Sequence, residues 1–187
     1  TDPLAPAPRT ADVRALFERP STGKVYGIGL GAITVLDSTT DTITNRIAVP
    51  PGVYSETGAL FDATGRLYLF DSGLGFGTPR QIVAVDLTAE AVEADIPLPQ
   101  NSWIFDMKIN ATTKRLYASD LDRGCIYVVD IDPASPNFHT LLATIVDEHA
   151  EAIALKESAN KLYVYGSQGG ECHVLNGTTG ALIKSIP

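Results

Sequence analysis

The side chains best suited to chemistry lie in three short segments: "VYSETG" at 53–58, "NSWIFD" at 101–106 and "DEHAEA" at 147–152. Carboxylate oxygens and an imidazole nitrogen from such segments could bind a divalent metal ion. The single tryptophan of the chain also lies here, and its ring could stack on a sugar or an aromatic ligand. We therefore predict a ligand-binding site whose members are Glu56, Trp103, Asp106, His149 and Glu151.

The carboxylates and the imidazole of these segments are ligand types that suit a divalent ion such as calcium or zinc. The simpler interpretation, which we adopt, is that no cofactor is bound and that the segments form an acidic surface exposed to water. The chain has three histidines, which lie in three different predicted elements: His139, His149 and His173. A zinc site made of histidines alone is therefore not expected. The sequence also contains no nucleophile elbow and no dinucleotide-binding fingerprint.

The elements that must position these residues form a repeat. A basic residue, an aliphatic residue and a tyrosine occur together four times, at 24–26, 66–68, 115–117 and 161–163, so that the tyrosines are 42, 49 and 46 positions apart. Each copy continues with an apolar run that ends in a side chain suited to a turn: Asp37, Asp86, Asp130 and Asn176. A period of roughly 46 residues in a chain rich in β-formers is typical of propeller blades with four strands each. We predict an all-β fold, a β-propeller built from four four-stranded antiparallel blades.

The repeat also predicts the boundaries of the blades. After an N-terminal extension at 1–10, the four blades span about 11–52, 53–100, 101–147 and 148–187. Two segments, "TADVRALFER" and "AEAIALKE", have helical features, but the register of the repeat places both as inner strands. In a propeller the starts of the inner strands meet at one end of the central channel. The three segments named first, 53–58, 101–106 and 147–152, would form this end, which we call the channel mouth.

Four blades are a small number for a ring. They could close as a complete small ring, or they could be part of a six- to eight-bladed propeller. An open stack would expose the apolar faces of the first and last blades, and soluble proteins seldom expose apolar patches of that size. We therefore expect either closure or association, including self-association that completes a larger ring.

Charge and composition narrow the class of partner. The chain carries 14 basic and 22 acidic residues, a net charge of -8, which argues against nucleic acid and against an anionic membrane surface. No apolar run approaches the roughly 18 residues of a membrane-spanning helix. Sequons at Asn110 and Asn176 fall in predicted exposed turns and favour an extracellular or periplasmic location. Cys125 and Cys172 either form a bridge or, as the default, remain two buried free thiols.

Copies of the repeat resemble known blades. "KLYVYGSQGGECHVLNGTTGALIKSIP" at 161–187 resembles YVTN-type β-propeller repeats. "GALFDATGRLYLFDSG" and "DMKINATTKRLYASDLDRGCIYVVDID" resemble blades of gluconolactonase-like propellers, and the resemblance covers nearly the whole chain after residue 12. Lactonases of that group bind a divalent metal at the channel, and the resemblance implies that Glu56, Asp106 and Glu151 occupy the comparable positions.

These features favour a non-catalytic binding module. Such a module would present its channel mouth and two inserted loops, "DSGLGFGTPR" and "IDPASPNFHT", to a protein or carbohydrate ligand. The alternatives are a metal-dependent lactonase or hydrolase and a structural repeat unit of a larger surface protein.

Overall fold

The computed structural model describes residues 13–73, 79–166 and 170–187, without the side chains of residues 54–56. In this part of the chain, sixteen strands form four separate antiparallel sheets of four strands each, and each sheet takes its strands in chain order. The predicted all-β fold with four-stranded blades is therefore confirmed. The N-terminal extension and the centre of the "DSGLGFGTPR" loop lie outside the described residues.

The strands follow one plan in every blade, from an inner strand to an outer one. The first blade consists of β1 (Ala15–Arg19), β2 (Lys24–Gly29), β3 (Ala32–Asp37) and β4 (Thr42–Ala48). The second consists of β5 (Val53–Phe61), β6 (Arg66–Asp71), β7 (Gln81–Asp86) and β8 (Ala91–Pro97). The third consists of β9 (Ile104–Asn110), β10 (Arg115–Asp120), β11 (Cys125–Asp130) and β12 (Leu141–Val146). The fourth consists of β13 (Ala152–Lys156), β14 (Lys161–Tyr165), β15 (Cys172–Asn176) and β16 (Leu182–Ile186).

Both segments with helical features are inner strands, as the repeat register predicts. β1 pairs with β2 and β13 pairs with β14 over their whole lengths. In β1 the side chains alternate, since Phe17 packs towards the second blade while Leu16 is 67% exposed. Pairing and burial against a neighbouring sheet thus outweigh the intrinsic helix propensity of a five-residue segment. The 3-10 turns at Asp62–Thr64 and Glu157–Ala159 are the only helical elements in the described chain, and neither is long enough to span a bilayer.

The residue that ends the third strand of each blade closes the following turn through its side chain. The Oδ1 atom of Asp37 accepts the N–H groups of Thr39 at 2.7 Å and Thr40 at 3.2 Å. Asp86 and Asn176 make the equivalent pair of bonds, and Asp130 accepts the N–H of the residue two positions on. The prediction of turn chemistry at these positions is confirmed.

Apolar side chains fill the space between successive blades. One cluster joins the first and second blades, another joins the second and third, and another joins the third and fourth. The third blade is covered on both sides, so Tyr117 packs towards the fourth blade while Tyr127 packs towards the second. Every residue of β11 is buried for this reason.

The first and last blades are covered on one side. On the outer face of the first blade Leu16 and Ile43 are exposed, and on the outer face of the fourth Tyr165 and Ile186 are exposed. Successive inner strands β1, β5, β9 and β13 contact one another, but within the described ranges β13 and β1 form no comparable interface. These four blades are therefore an open arc with two partly apolar end faces.

The sequon at Asn110 is not an exposed turn, so that expectation is wrong. Asn110 is fully buried, its Oδ1 accepts the N–H groups of Thr112 and Thr113, and its Nδ2 donates to Asn160 of the next blade. The amide is therefore part of a blade-to-blade contact. Both cysteines are free, since Cys125 lies in the core between the second and third blades while Cys172 is on the outer face of the fourth.

Replacing Gly58 with alanine should lower the free energy of unfolding by about 1–3 kcal/mol. The new Cβ would lie 2.8 Å from both Leu69 Cδ2 and Phe17 Cζ, where the first blade packs against β5. Urea denaturation followed by circular dichroism measures the difference. The matched control is Gly27→Ala in β2, whose Cβ would meet Leu16 and Val13 at an ordinary 3.5 Å. Equal losses in both variants would contradict this packing of Phe17.

The stability of the fold should decrease as pH falls below about 4. The N–H groups of Thr39 and Thr40 hold the pKa of Asp37 below its usual value, and the Lys114 ammonium does the same to the pKa of Asp132. A carboxylate whose pKa is lower in the folded state stabilises it above the unfolded pKa, and this contribution is lost as pH falls through the folded pKa.

The variant Asp37→Asn isolates one such group, because an asparagine carbonyl can accept the same two N–H groups, as Asn176 does in the fourth blade. Urea denaturation across the acidic range should give near wild-type stability for this variant at neutral pH and a shallower loss in acid. An unchanged slope would show that Asp37 has the same pKa in the folded and unfolded chains.

Candidate functional site

The three segments of the channel mouth lie where the inner strands β5, β9 and β13 begin. Side-chain bonds join these strands in succession. Thr57 Oγ1 of β5 donates to the Phe105 carbonyl of β9 at 3.2 Å, and Asp106 Oδ2 of β9 accepts the Ile153 N–H of β13 at 3.1 Å. The starts of the three strands are therefore neighbours at one end of the blades, as predicted.

Asp106, one of the predicted metal ligands, has partners for both carboxylate oxygens. Its Oδ1 accepts the Met107 N–H at 2.8 Å and forms an ion pair with Lys108 Nζ at 2.6 Å. Its Oδ2 is the acceptor for Ile153 described above. The carboxylate thus joins the inner strands of the third and fourth blades.

Ser119 connects Asp106 to Glu151. Its hydroxyl oxygen accepts the Asp106 N–H at 3.1 Å, and the hydroxyl donates to the Glu151 carbonyl at 2.7 Å. Ser119 is fully buried, whereas Glu151 is partly exposed. The side chain of Glu56 lies outside the described part of the structure, so a metal site at Glu56, Asp106 and Glu151 stays a prediction.

Two large aromatic side chains close together in the sequence, Trp103 and Phe105, are exposed at the start of β9. Trp103 is 45% exposed and Phe105 is 47% exposed, while Ile104 between them is buried. The Trp103 ring meets buried Phe70 edge-on at 6.1 Å, and Arg80 Cζ lies 5.3 Å from its centroid. We call Trp103, Phe105 and Arg80 the aromatic patch. The buried Ile104 between two exposed aromatic residues in "WIFD" is the signal by which the sequence could have indicated Phe105.

A buried chain of hydrogen bonds fixes the segment that carries Trp103. The hydroxyls of Ser102 and Tyr127 are 2.9 Å apart, and Tyr127 donates to Asp120 Oδ2 at 3.1 Å. Burial raises the pKa of Tyr127 above its usual value, so this hydroxyl remains a donor at neutral pH. Arg80 donates from Nη1 to the Ser102 carbonyl and so ties the aromatic patch to the same segment.

His149 of the channel mouth lies at the boundary between the third and fourth blades, and its carbonyl accepts the N–H of Glu151 at 2.6 Å. Its ring centroid is 4.3 Å from that of His173, and its backbone N–H donates to Asp147 Oδ1 at 2.9 Å. His173 Nδ1 lies 2.9 Å from Asp147 Oδ2, which is a hydrogen bond from the imidazole. We call Asp147, His149 and His173 the histidine–aspartate cluster.

The sequence places the two histidines in different elements, and the fold brings them together. His173 of β15 and Ile153 of β13 both pair with Val164, so they share the face of the fourth blade that packs on the third. His149 precedes β13 at the same end of that blade. The register of the repeat therefore indicates that His149 and His173 lie close together.

No protein-family model matches the chain, and no curated protein does. Among solved structures the chain is similar to a hydrazine synthase from Kuenenia stuttgartiensis, with 14% identity and a TM-score of 0.74 over 99% of this chain and 51% of that one. It is also similar to a Bacteroides caccae protein of unknown function, with 12% identity and a TM-score of 0.65 over 97% of this chain and 63% of that one. The chain thus spans about half to two thirds of the length of these neighbours, and the likeness supports the β-propeller fold.

Proposed function

We propose that this chain is a β-propeller binding module that holds a protein ligand on the aromatic patch of its channel mouth. The observation that carries the proposal is the exposure of two large aromatic side chains, Trp103 and Phe105, within three residues of each other at the start of β9. The YVTN-type and gluconolactonase-like character of the repeats and an extracellular or periplasmic location remain parts of this proposal.

The composition of the aromatic patch favours a protein over a carbohydrate. Tryptophan and arginine are enriched among the residues that dominate the affinity of protein interfaces, and aromatic residues are enriched in interface centres. Here Trp103 and Arg80 already contact each other, so the ligand would meet two side chains in a fixed arrangement. Ordering them in advance reduces the entropy lost on binding.

Charge favours a basic partner. The chain has a net charge of -8, and Glu148 and Glu151 of the channel mouth are at least partly exposed. An acidic surface around an apolar centre attracts a partner with the opposite charge and accelerates association. The proposed ligand is thus a protein segment with apolar anchor residues and flanking lysines or arginines.

Replacing Trp103 with alanine should weaken binding by about 30-fold or more, because a central aromatic of an interface contributes about 2 kcal/mol or more. The probes are peptides selected from a random phage-displayed library on the immobilised chain, with affinities measured by calorimetry. Because Trp103 is the single tryptophan, its emission in the wild type and in Phe105→Ala reports directly on the patch.

The matched control is Leu182→Ala, which removes an exposed apolar side chain from the outer strand β16. It should bind the peptides like the wild type. Peptides whose binding leaves Trp103 emission and the Trp103→Ala affinity unchanged would overturn the proposal. A glycan array that shows Trp103-dependent sugar binding, with no such peptide, would replace the protein ligand with a carbohydrate.

We also propose that a second copy of the chain completes the ring. The outer face of the fourth blade continues the direction in which each blade packs on the next, and the outer face of the first blade is the surface that it would meet. Two arcs joined at both ends would give eight blades, which lies within the range of about four to eight known for propellers. Both faces would then be buried in contacts like those inside the arc.

In sedimentation velocity at tens of micromolar, the wild type should have twice the 19.9 kDa mass of one chain. Leu16→Glu should give the monomer, because it places a charge within the exposed end face of the first blade. The control Val92→Glu alters an exposed side chain on the outer strand of the second blade and should leave the dimer intact. A monomeric wild type, or a dimer that persists in Leu16→Glu, would contradict the proposal.

A further inference from the structure

We propose that the histidine–aspartate cluster binds a zinc ion at the boundary between the third and fourth blades. The ligands would be one carboxylate oxygen of Asp147 and one ring nitrogen each of His149 and His173. These three ligands are different residues from those of the aromatic patch and from the three carboxylates predicted as metal ligands. It would join the connection after β12 to a central strand of the next blade.

The donor set is one that zinc prefers. Two imidazole nitrogens and a carboxylate oxygen are common zinc ligands, whereas calcium takes oxygen ligands almost exclusively. The three candidate ligand atoms all lie within 4.8 Å of one another. Ligands about 2.0–2.2 Å from a tetrahedral zinc ion are roughly 3.4 Å apart, and His149 Nδ1 is 3.5 Å from Asp147 Oδ1.

A second, independent observation points to an ion. Among the residues that the structure describes, the buried Nδ1 atom of His149 has no hydrogen-bond partner, and the side chain is only 10% exposed. A buried polar atom without a partner lowers stability, and such atoms are rare in folded proteins. A metal ion between His149 and Asp147 would give this nitrogen a partner and remove the cost.

The ligands are held in place by the fold. Asp147 is 3% exposed at its side chain, its N–H donates to the Gly124 carbonyl at 2.9 Å, and its Oδ1 accepts the His149 N–H. Backbone contacts of this kind fix the orientation of a metal ligand and contribute to affinity. Because His173 belongs to β15, its position is set by the ladder with β14.

The fourth ligand would come from solvent or from Glu171. The Oε2 atom of Glu171 lies 3.9 Å from His173 Nε2. The Glu171 side chain is about half exposed, so this side chain can turn towards an ion. A site with three protein ligands from two blades and one exchangeable position would hold zinc reversibly and would stiffen the blade boundary.

The test is a titration of the chelator-treated full chain with zinc chloride by calorimetry, and with cobalt chloride by visible absorption. We expect one zinc per chain, and cobalt bands of a four-coordinate site with nitrogen and oxygen ligands. His149→Ala and His173→Gln should each weaken zinc binding by at least about 100-fold, because loss of an outer contact alone costs about 10- to 100-fold. Zinc should raise the melting temperature of the wild type and not that of either variant.

Two controls are matched to the ligands. Glu148→Gln removes an exposed carboxylate between Asp147 and His149, and His139→Gln removes a histidine outside the cluster, in the loop between β11 and β12. Both should bind zinc like the wild type. Wild type that binds no zinc saturably, or that shows only six-coordinate cobalt, would overturn the proposal whatever the variants do. Unchanged binding in a folded His149→Ala chain would also overturn it.

Discussion

Each blade of this protein is a sheet of four short strands with two apolar faces, and it can bury neither face by itself. Every other feature follows from this constraint. Blades must stack, and a blade between two neighbours must be apolar on both sides, as the fully buried β11 is. Tyr117 and Tyr127 of the third blade serve opposite boundaries, so one sheet belongs to two cores. The stability of such an array is the sum of the stability of each blade and of the contacts between neighbouring blades.

The backbone hydrogen-bond ladders lie within each blade. Polar side chains therefore make the hydrogen bonds that link one inner strand to the next. Thr57, Asp106 and Ser119 all bond to backbone groups of a neighbouring blade. The polar side chains that lie on the strands are therefore used in contacts that hold neighbouring blades together. Trp103 and His149 precede the strands, and their side chains contact groups outside the inner-strand ladders.

The sequence predicted the fold because each copy of the repeat contains its own apolar strand residues and its own turn residues, which can be recognised within a short segment. The tyrosine spacing placed the second strand of every blade, and Asp37 and its equivalents placed the turns. It did not predict the histidine–aspartate cluster, since His149 and His173 are 24 positions apart and meet only through the pairing of β13, β14 and β15. The expected exposure of Asn110 was wrong for a similar reason. The turn at Asn110 packs on Asn160 of the next blade and is therefore buried. The position of Trp103 at the mouth was predicted, whereas its contact with Arg80 depends on a loop whose path the sequence does not specify.

The one-sided cover of the end blades affects the order in which the blades open. In the inner strands of the first and fourth blades, alternate side chains are at most partly buried except for Ile153, while the second strands of the second and third blades are buried almost throughout. Local opening therefore begins at the two outermost sheets and moves inwards. Amide hydrogens of β14 and β15 would exchange with solvent sooner than those of β6 and β10.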